Sequence, residues 1–286
     1  MAIIGRPNVG KSTLLNRLVG EKLAGVSPKP QTTRKAVRGI LTRKEGQIVF
    51  LDTPGLHDPR DPLGKWMVQE AQKSLEGADL LYWMVLPEKP RYEDEKILEI
   101  IRGLTVPLFL LVNQIDRFPK PHILPVLEHY GKTHAFRELI PISAREGDQV
   151  ELLLRKTFDH LPAGKPHFPE DQISDQDERF IVTEIIREKI FYATGEEIPY
   201  AATVVIEDFK ERNEKMVDIQ ATVIIEKDSQ KAIVIGKNGI KMKQIGQSAR
   251  LDIEKFLGKK VYLQLWVKTM PHWKREESSL RRLGFE

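Results

Sequence analysis

The residues best suited to chemistry lie near the start of the sequence, where residues 5–12 match the pattern G-x-x-x-x-G-K-[ST]. Gly5 and Gly10 allow consecutive backbone N–H groups to turn inward around phosphate oxygens. Lys11 would place a positive charge against the β- and γ-phosphates, and the Ser12 hydroxyl is a ligand for the Mg²⁺ that bridges them. Apolar residues at helical spacing follow, and a helix N-terminus favours an anion. The stretch predicts a phosphate site, although a glycine turn can match the pattern by chance.

Two further segments are placed to contact a γ-phosphate. Asp52-Thr53-Pro54-Gly55 follows a predicted buried strand at residues 46–51, where Asp52 would hold Mg²⁺ through water and the Gly55 N–H would contact the γ-phosphate. Thr33 lies in a proline-interrupted loop that GTP would order around this metal, with a plain surface loop as the alternative. Leu56 occupies the position at which many GTPases carry a water-orienting glutamine, so we expect slow intrinsic hydrolysis.

The residues that would recognise the base are predicted at the end of a later strand. An apolar strand at residues 107–112 leads into Asn113-Gln114-Ile115-Asp116. The Asp116 carboxylate can accept hydrogen bonds from guanine N1–H and the exocyclic amine, a donor pair that adenine lacks, so it would select GTP over ATP. We expect Asn113 to brace the neighbouring loops and a backbone N–H near Ser143-Ala144 to meet guanine O6.

These segments define one predicted site. Catalysis is assigned to Lys11, Thr33, Asp52 and Gly55, and Mg²⁺ to Ser12 and Thr33, with Asp52 acting through water. The predicted GTP-binding residues are Gly5, Arg6, Pro7, Asn8, Val9, Gly10, Lys11, Ser12, Thr13, Asp52, Thr53, Pro54, Gly55, Leu56, Asn113, Gln114, Ile115, Asp116, Ser143 and Ala144.

Composition limits the class of protein. The 286 residues suffice for about two domains, and the absence of cysteine excludes a disulfide framework and a thiolate catalyst. No run of about 18 apolar residues predicts a membrane span, so we expect a cytoplasmic protein. The net charge is +4. Residues 227–286 nevertheless hold 14 Lys and Arg against 6 Asp and Glu, which favours either a polyanion-binding face or a solvated surface.

The second half of the chain contains a candidate RNA-binding turn. Proline and polar residues break every periodicity across a linker at residues 166–175. The pattern beyond it predicts a helix, two strands, a helix, a G-x-x-G turn, a helix and a strand. Such a turn lets a nucleic-acid backbone approach closely, and an ordinary helix-turn-helix with a basic face is the alternative. The predicted RNA-binding residues are Ile235, Gly236, Lys237, Asn238, Gly239, Ile240, Lys241 and Lys243.

The five guanine-nucleotide segments, followed by a KH-like G-x-x-G unit, resemble the Era GTPase family over nearly the whole chain. The resemblance implies a P-loop GTPase domain with a mixed, mostly parallel α/β sheet, followed by an α+β type II KH domain. Gln114 stands where the family's N-K-x-D motif has lysine, which bears on nucleotide affinity more than on guanine selectivity. The expected parts are a GTP-binding domain at 1–165, the linker at 166–175, a KH domain at 176–270 and a basic tail at 271–286.

The resemblance also implies partners. Members bind GTP and GDP and act in 30S assembly at the 3′ end of 16S rRNA, with peripheral association at the inner membrane face, and no DNA is expected. In potassium-activated relatives an asparagine matching Asn8 accompanies a monovalent cation, K⁺. Two alternatives from other classes stay open: an RNA-binding module whose nucleotide domain does not hydrolyse GTP, and a nucleotide-regulated membrane or protein adaptor.

Overall fold

A computed structural model of the chain describes residues 1–59, 61–195 and 197–285, so Glu286, the last residue of the predicted tail, lies outside the described residues. Contacts group the described residues into two compact units. Unit 1 comprises residues 1–24, 33–59 and 67–175, and unit 2 comprises residues 25–32, 61–66 and 176–285 apart from residue 196. The domain bounds expected from the sequence stay predictions.

Unit 1 is built on a six-stranded sheet in the order β2-β3-β1-β4-β5-β6. All neighbouring pairs are parallel except the hairpin of β2 and β3. The central strands β4 and β5 are buried at every residue, as their continuous apolar sequences require when helices cover both faces. The strands are β1 (Ala2–Ile4), β2 (Val37–Arg43), β3 (Gly46–Asp52), β4 (Leu81–Val85), β5 (Leu108–Val112) and β6 (Glu138–Pro141).

Among the described residues, five α-helices lie between residues 11 and 160. They are α1 (Lys11–Val19), α2 (Pro62–Lys73), α3 (Tyr92–Arg102), α4 (Ile123–Gly131) and α5 (Val150–His160). Helix α2 begins at Pro62. Its start is fixed by proline at the first helical position, and by the Asp61 carboxylate, which accepts the Gly64 N–H at 2.8 Å.

Unit 2 contains a three-stranded sheet in the order β7-β8-β9, with β7 and β8 antiparallel and β8 and β9 parallel. This arrangement agrees with the predicted α+β type II KH fold. The Asp177 side chain caps the first helix by accepting the Phe180 N–H. The elements are α6 (Glu178–Ala193), α7 (Glu197–Ala201), β7 (Thr203–Asn213), β8 (Met216–Ile225), α8 (Asp228–Ile235), α9 (Ile240–Leu257), β9 (Lys260–Thr269) and α10 (Glu277–Arg282).

The described part of the predicted tail is folded. Trp273 is fully buried, and its indole N–H donates to the Ala201 carbonyl oxygen at 2.9 Å. Phe285 stacks on Trp273 with ring centroids 6.1 Å apart and contacts the Trp66 ring edge-to-face at 5.3 Å. These buried aromatic contacts make residues 271–285 an integral part of unit 2.

Among the described residues, the helices are all too short or too polar to cross a lipid bilayer.

Candidate functional site

The loop between β1 and α1 has the backbone geometry of a phosphate cradle. Gly5, Asn8 and Gly10 have φ angles of 151°, 65° and 102°, and this region disfavours side chains other than short polar ones. A β-carbon on Gly10 would lie 2.3 Å from Asn113 Nδ2, and one on Gly5 would lie 2.6 Å from the Met84 carbonyl oxygen. Glycine is therefore required at both positions for conformation and for space.

Lys11 is held inside this cradle. Its side chain is buried, and Nζ donates to the carbonyl oxygens of Gly5 and Arg6 at 3.1 Å each. Burial lowers the pKa of Lys11 to about 8, although the nearby Asp52 carboxylate acts in the opposite direction. An anion bound in the loop would favour the charged form, so the lysine is placed to meet one.

Arg6, predicted to bind GTP, turns its side chain away from the cradle. The guanidinium is buried, pairs with Glu88, and lies 3.3 Å from the Asp94 carboxylate. Asp94 also accepts the Arg91 N–H at 3.0 Å at the start of α3, and burial raises the pKa of Asp94. Arg6 thus fixes the loop to α3. Sequence reasoning missed both carboxylates, because neither lies near Arg6 in the sequence.

The three predicted Mg²⁺ residues lie together. Ser12 Oγ lies 2.7 Å from Thr33 Oγ1 and donates to Asp52 Oδ2 at 2.5 Å, and Thr33 Oγ1 donates to the same carboxylate oxygen at 3.2 Å. These residues come from α1, from the loop before β2 and from the end of β3. The fold brings them to one carboxyl edge of the parallel strands, as open α/β sheets place ligand-binding residues.

The segment after β3 approaches the cradle through its backbone. A β-carbon on Gly55 would lie 2.8 Å from the Pro7 nitrogen, and the Leu56 N–H donates to the Gly5 carbonyl oxygen at 3.3 Å. The buried Thr53 hydroxyl donates to the Ile3 carbonyl oxygen at 2.8 Å and fixes the strand end. Gly55 can therefore present its N–H beside the phosphate loop only because it lacks a side chain.

Leu56 lies in the hydrophobic core of unit 1. Its side chain is 4% exposed and belongs to the buried cluster that includes Ala71 and Trp83. The residue predicted to contact GTP thus contributes its backbone to the loop, while its aliphatic side chain packs in the core. This geometry supports the expectation of slow intrinsic hydrolysis.

A Leu56→Gln substitution will lower stability without raising the rate of GTP hydrolysis. An amide in this apolar cluster would lack hydrogen-bond partners, at a cost of about 1–3 kcal/mol. Thermal unfolding and single-turnover hydrolysis measure the two effects. Leu56→Met is the matched control, because it conserves volume and polarity and should cost less than about 1.5 kcal/mol. Faster turnover at unchanged stability in Leu56→Gln would show that the side chain can reach the nucleotide.

The predicted guanine segments are joined by Asn113. Its buried amide donates to the Val9 carbonyl oxygen at 2.7 Å, and its Oδ1 accepts the Ala144 N–H at 2.9 Å. Asp116, which is exposed, accepts the Ser143 hydroxyl at 2.7 Å. This bond orients one carboxylate oxygen and leaves the side chain at the surface, where a base can bind.

Gln114 reaches the phosphate loop despite replacing lysine. Its backbone has a φ of 65°, and its Nε2 donates to the Asn8 carbonyl oxygen at 3.2 Å. Gln114 therefore contacts the phosphate loop, but it lacks the positive charge of a lysine. Of the other predicted residues, Ile115 donates its N–H to the Ile142 carbonyl oxygen at 3.3 Å, and Thr13 lies in the first turn of α1.

The predicted RNA-binding turn has an open left-handed backbone between α8 and α9. Gly236, Asn238 and Gly239 have φ angles of 72°, 52° and 76°. Lys237 and Asn238 are exposed at its apex, and Ile240 is 55% exposed beside it. A β-carbon on Gly236 would lie 2.7 Å from that of Lys241, whereas one on Gly239 would meet nothing within 4 Å. The predicted residues Ile235, Lys241 and Lys243 flank the turn on α8 and α9.

The loop segment before Thr33 packs within unit 2, which sequence reasoning missed. The Val26 N–H donates to Glu188 Oε2 on α6 at 2.8 Å, and Lys29 Nζ donates to the Thr194 carbonyl oxygen. Lys189, next to Glu188, pairs at 2.5 Å with Asp252 of α9. The segment thus belongs to the folded structure of unit 2. A loop without apolar periodicity gives no signal for such partners, which lie far away in sequence.

Comparisons with known proteins agree with this geometry. A family model described as 50S ribosome-binding GTPase matches residues 1–114, and one described as KH domain matches residues 197–274. GTPase Era of Staphylococcus haemolyticus is 45% identical over all of this chain and 96% of its own length. The chain belongs to the GTPase Era family. A further relative is GTPase Era of a Geobacter species, which is 47% identical over all of this chain and 97% of its own length. Membership of the Era family makes this chain a GTPase.

Solved Era structures match both units. A crystal structure of an Aquifex aeolicus Era variant bound to GDP and AlF4⁻ has a TM-score of 0.95 at 41% identity, covering 99% of this chain and 97% of that one. Era in complex with MgGDPNP and nucleotides 1506–1542 of 16S ribosomal RNA matches with the same score, identity and coverage. The predicted fold, a P-loop GTPase domain followed by a KH domain, is confirmed.

Proposed function

We propose that this chain is a GTP-hydrolysing, RNA-binding factor of 30S assembly, which binds the 3′ end of 16S rRNA in a nucleotide-dependent way in the cytoplasm. The observation that carries the proposal is the match, over both units, to an Era complex that holds MgGDPNP and a 16S rRNA fragment. Guanine-nucleotide segments at the sheet edge of unit 1 and an exposed G-x-x-G turn in unit 2 supply the two binding sites in one polypeptide.

We propose that the phosphates of GTP bind in the loop at residues 5–12 and that Asp116 binds the guanine base. The Lys11 ammonium donates hydrogen bonds to two carbonyl oxygens of its own loop. When GTP binds, it would donate instead to phosphate oxygens, which carry more negative charge. The Gly55 N–H would meet the γ-phosphate beside Pro7. Since the Leu56 side chain cannot orient water, we expect turnover to be slow without a partner.

We assign Mg²⁺ to the hydroxyls of Ser12 and Thr33, with Asp52 binding through water. The oxygens of these residues lie within hydrogen-bond distance of one another, and hard oxygen ligands suit this ion. When bound, Mg²⁺ neutralises charge on the β- and γ-phosphate oxygens. The potassium ion beside Asn8 and the peripheral membrane association stay predictions from the family resemblance.

The nucleotide dependence has a structural basis in the loop before Thr33. The peptide bond between Thr32 and Thr33 joins a residue of unit 2 to a residue of the Mg²⁺ cluster. GTP that orders Thr33 therefore acts on a segment whose hydrogen bonds to Glu188 and Thr194 anchor it at α6. By linkage, bound RNA must in turn change nucleotide affinity by the same factor.

The proposal is tested by measuring GTP turnover with and without single-stranded RNA from the 16S 3′ end, and RNA affinity with GDPNP and with GDP. We expect GTP to be hydrolysed in preference to ATP, and RNA affinity to differ between the two nucleotide states. RNA binding without any turnover would instead indicate an RNA-binding module with an inactive nucleotide domain. Anionic vesicles that displace the RNA would indicate a membrane adaptor.

A further inference from the structure

The outer face of strand β9 carries a row of polar and aromatic side chains, of which all but the central Gln264 are exposed. Strand β9 is an edge strand, since among the described residues it pairs only with β8. Its inner face packs on α9, where the Leu265 side chain lies 3.5 Å from the position of a β-carbon on Gly246. Side chains alternate along a strand, so the opposite face presents Lys260, Tyr262, Gln264, Trp266 and Lys268.

The two aromatic residues of this outer face are unusually exposed. Tyr262 is 49% and Trp266 is 46% exposed, whereas Trp83 and Trp273 are fully buried. Four residues of strand separate the two rings by about 13 Å, since each residue adds about 3.3 Å. Flat rings at this spacing can each stack one unpaired base, because every base has a π-face.

The charge of the outer face suits a polyanion. None of the five alternating residues is acidic, and a lysine lies at each end. The nearest carboxylate on the neighbouring strand is Asp218, opposite Tyr262, and Arg212 pairs with it at 2.6 Å. Glu254 lies 3.6 Å from Lys260. Because that lysine is largely exposed, the attraction within this ion pair is weak. Protein interfaces are depleted in lysine, whereas single-strand binding surfaces combine lysine with aromatic rings.

We propose that this outer face is a second single-stranded RNA contact, in which Trp266 and Tyr262 stack bases and Lys268 and Lys260 meet phosphates. It rests on the proposed function, since the G-x-x-G turn would bind the first part of the same RNA. Helix α9 begins at that turn and packs on the inner face of β9. An RNA strand leaving the turn reaches the outer face by crossing the open edge of β9.

The test compares two single-stranded RNAs from the 16S 3′ end, one of about 4 nucleotides, the length that a KH turn clamps, and one of about 12 nucleotides. We expect the wild-type protein to bind the longer RNA more tightly. Each lost stack costs about 1–3 kcal/mol, so a Tyr262→Ala/Trp266→Ala variant, which loses two stacks, should bind the longer RNA roughly 30-fold to 20,000-fold more weakly. Its affinity for the shorter RNA and its GTP turnover without RNA should not change.

Trp266→Phe is the matched control, because it keeps an aromatic ring and should retain most of the affinity. Stacking should also quench the Trp266 fluorescence, and that quenching should be absent in Trp266→Phe. If wild type and the double variant bind the longer RNA equally, the outer-face contact is wrong while the proposed function stands. If wild type binds neither RNA, the proposed function itself fails. A thermal unfolding midpoint equal to that of wild type shows that the double variant is folded.

Discussion

A Lys11→Ala variant will bind GTP at least about 100-fold more weakly than the wild-type protein. The ammonium is the only charge that the phosphate loop itself directs inward, since Arg6 is engaged with Glu88 and Asp94. Hydrogen bonds to charged groups contribute about 1.5–3 kcal/mol each, and loss of about 3 kcal/mol corresponds to about 100-fold in affinity. Titration calorimetry with GDPNP measures the change.

Lys44→Ala is the control for Lys11→Ala, because Lys44 is an exposed lysine at the hairpin between β2 and β3. It should bind GDPNP as the wild-type protein does. RNA affinity measured without nucleotide should be the same in all three proteins. If Lys11→Ala kept its GDPNP affinity, the phosphates could not occupy the loop at residues 5–12.

A Gly239→Asp variant will lose RNA affinity by about 100-fold while its GTP affinity is unchanged. The β-carbon has open space, so the side chain fits beside the turn without a clash. A carboxylate about 5–6 Å from an RNA phosphate, at an effective dielectric constant of about 20, raises the free energy of the complex by about 3 kcal/mol. Fluorescence anisotropy with a labelled RNA of about 4 nucleotides measures the loss.

Gly239→Asn separates charge from shape. Asparagine has almost the same size as aspartate and tolerates the left-handed φ of 76° at this position. We expect the asparagine variant to keep RNA affinity within a few-fold of wild type. Equal loss in both variants would mean that the backbone conformation, and not charge, limits binding. A parallel loss of GTP affinity would contradict separate sites for the two ligands.

The sequence predicted the elements of this protein where a local pattern decided the outcome. The continuous apolar run at 107–112 predicted a buried strand, and β5 is buried at every residue of Leu108–Val112. The spacing of the phosphate-loop and guanine segments predicted that they would meet at one sheet edge, and Asn113 does bond to both Val9 and Ala144. Topology brings such segments together once the strands are parallel.

Features that depend on contacts distant in sequence were not predictable. Nothing local marks Glu88 and Asp94 as partners of Arg6, or the Leu56 side chain as part of the core. Helix α7 has only five residues and no full apolar period, so it was missed. Nothing local in the predicted tail indicates that Trp273 is buried, because the acceptor of its indole N–H, the Ala201 carbonyl oxygen, lies far away in sequence.

The grouping of residues 25–32 and 61–66 with the C-terminal part of the chain sets a condition on any truncation study. Cutting the protein at the linker would remove the Glu188 acceptor of the Val26 N–H, together with the aromatic partner of Trp66. The excised N-terminal fragment would carry an uncovered indole and a loop released from its anchor. Enzyme kinetics of that fragment would therefore describe a differently restrained loop from the one in the intact protein.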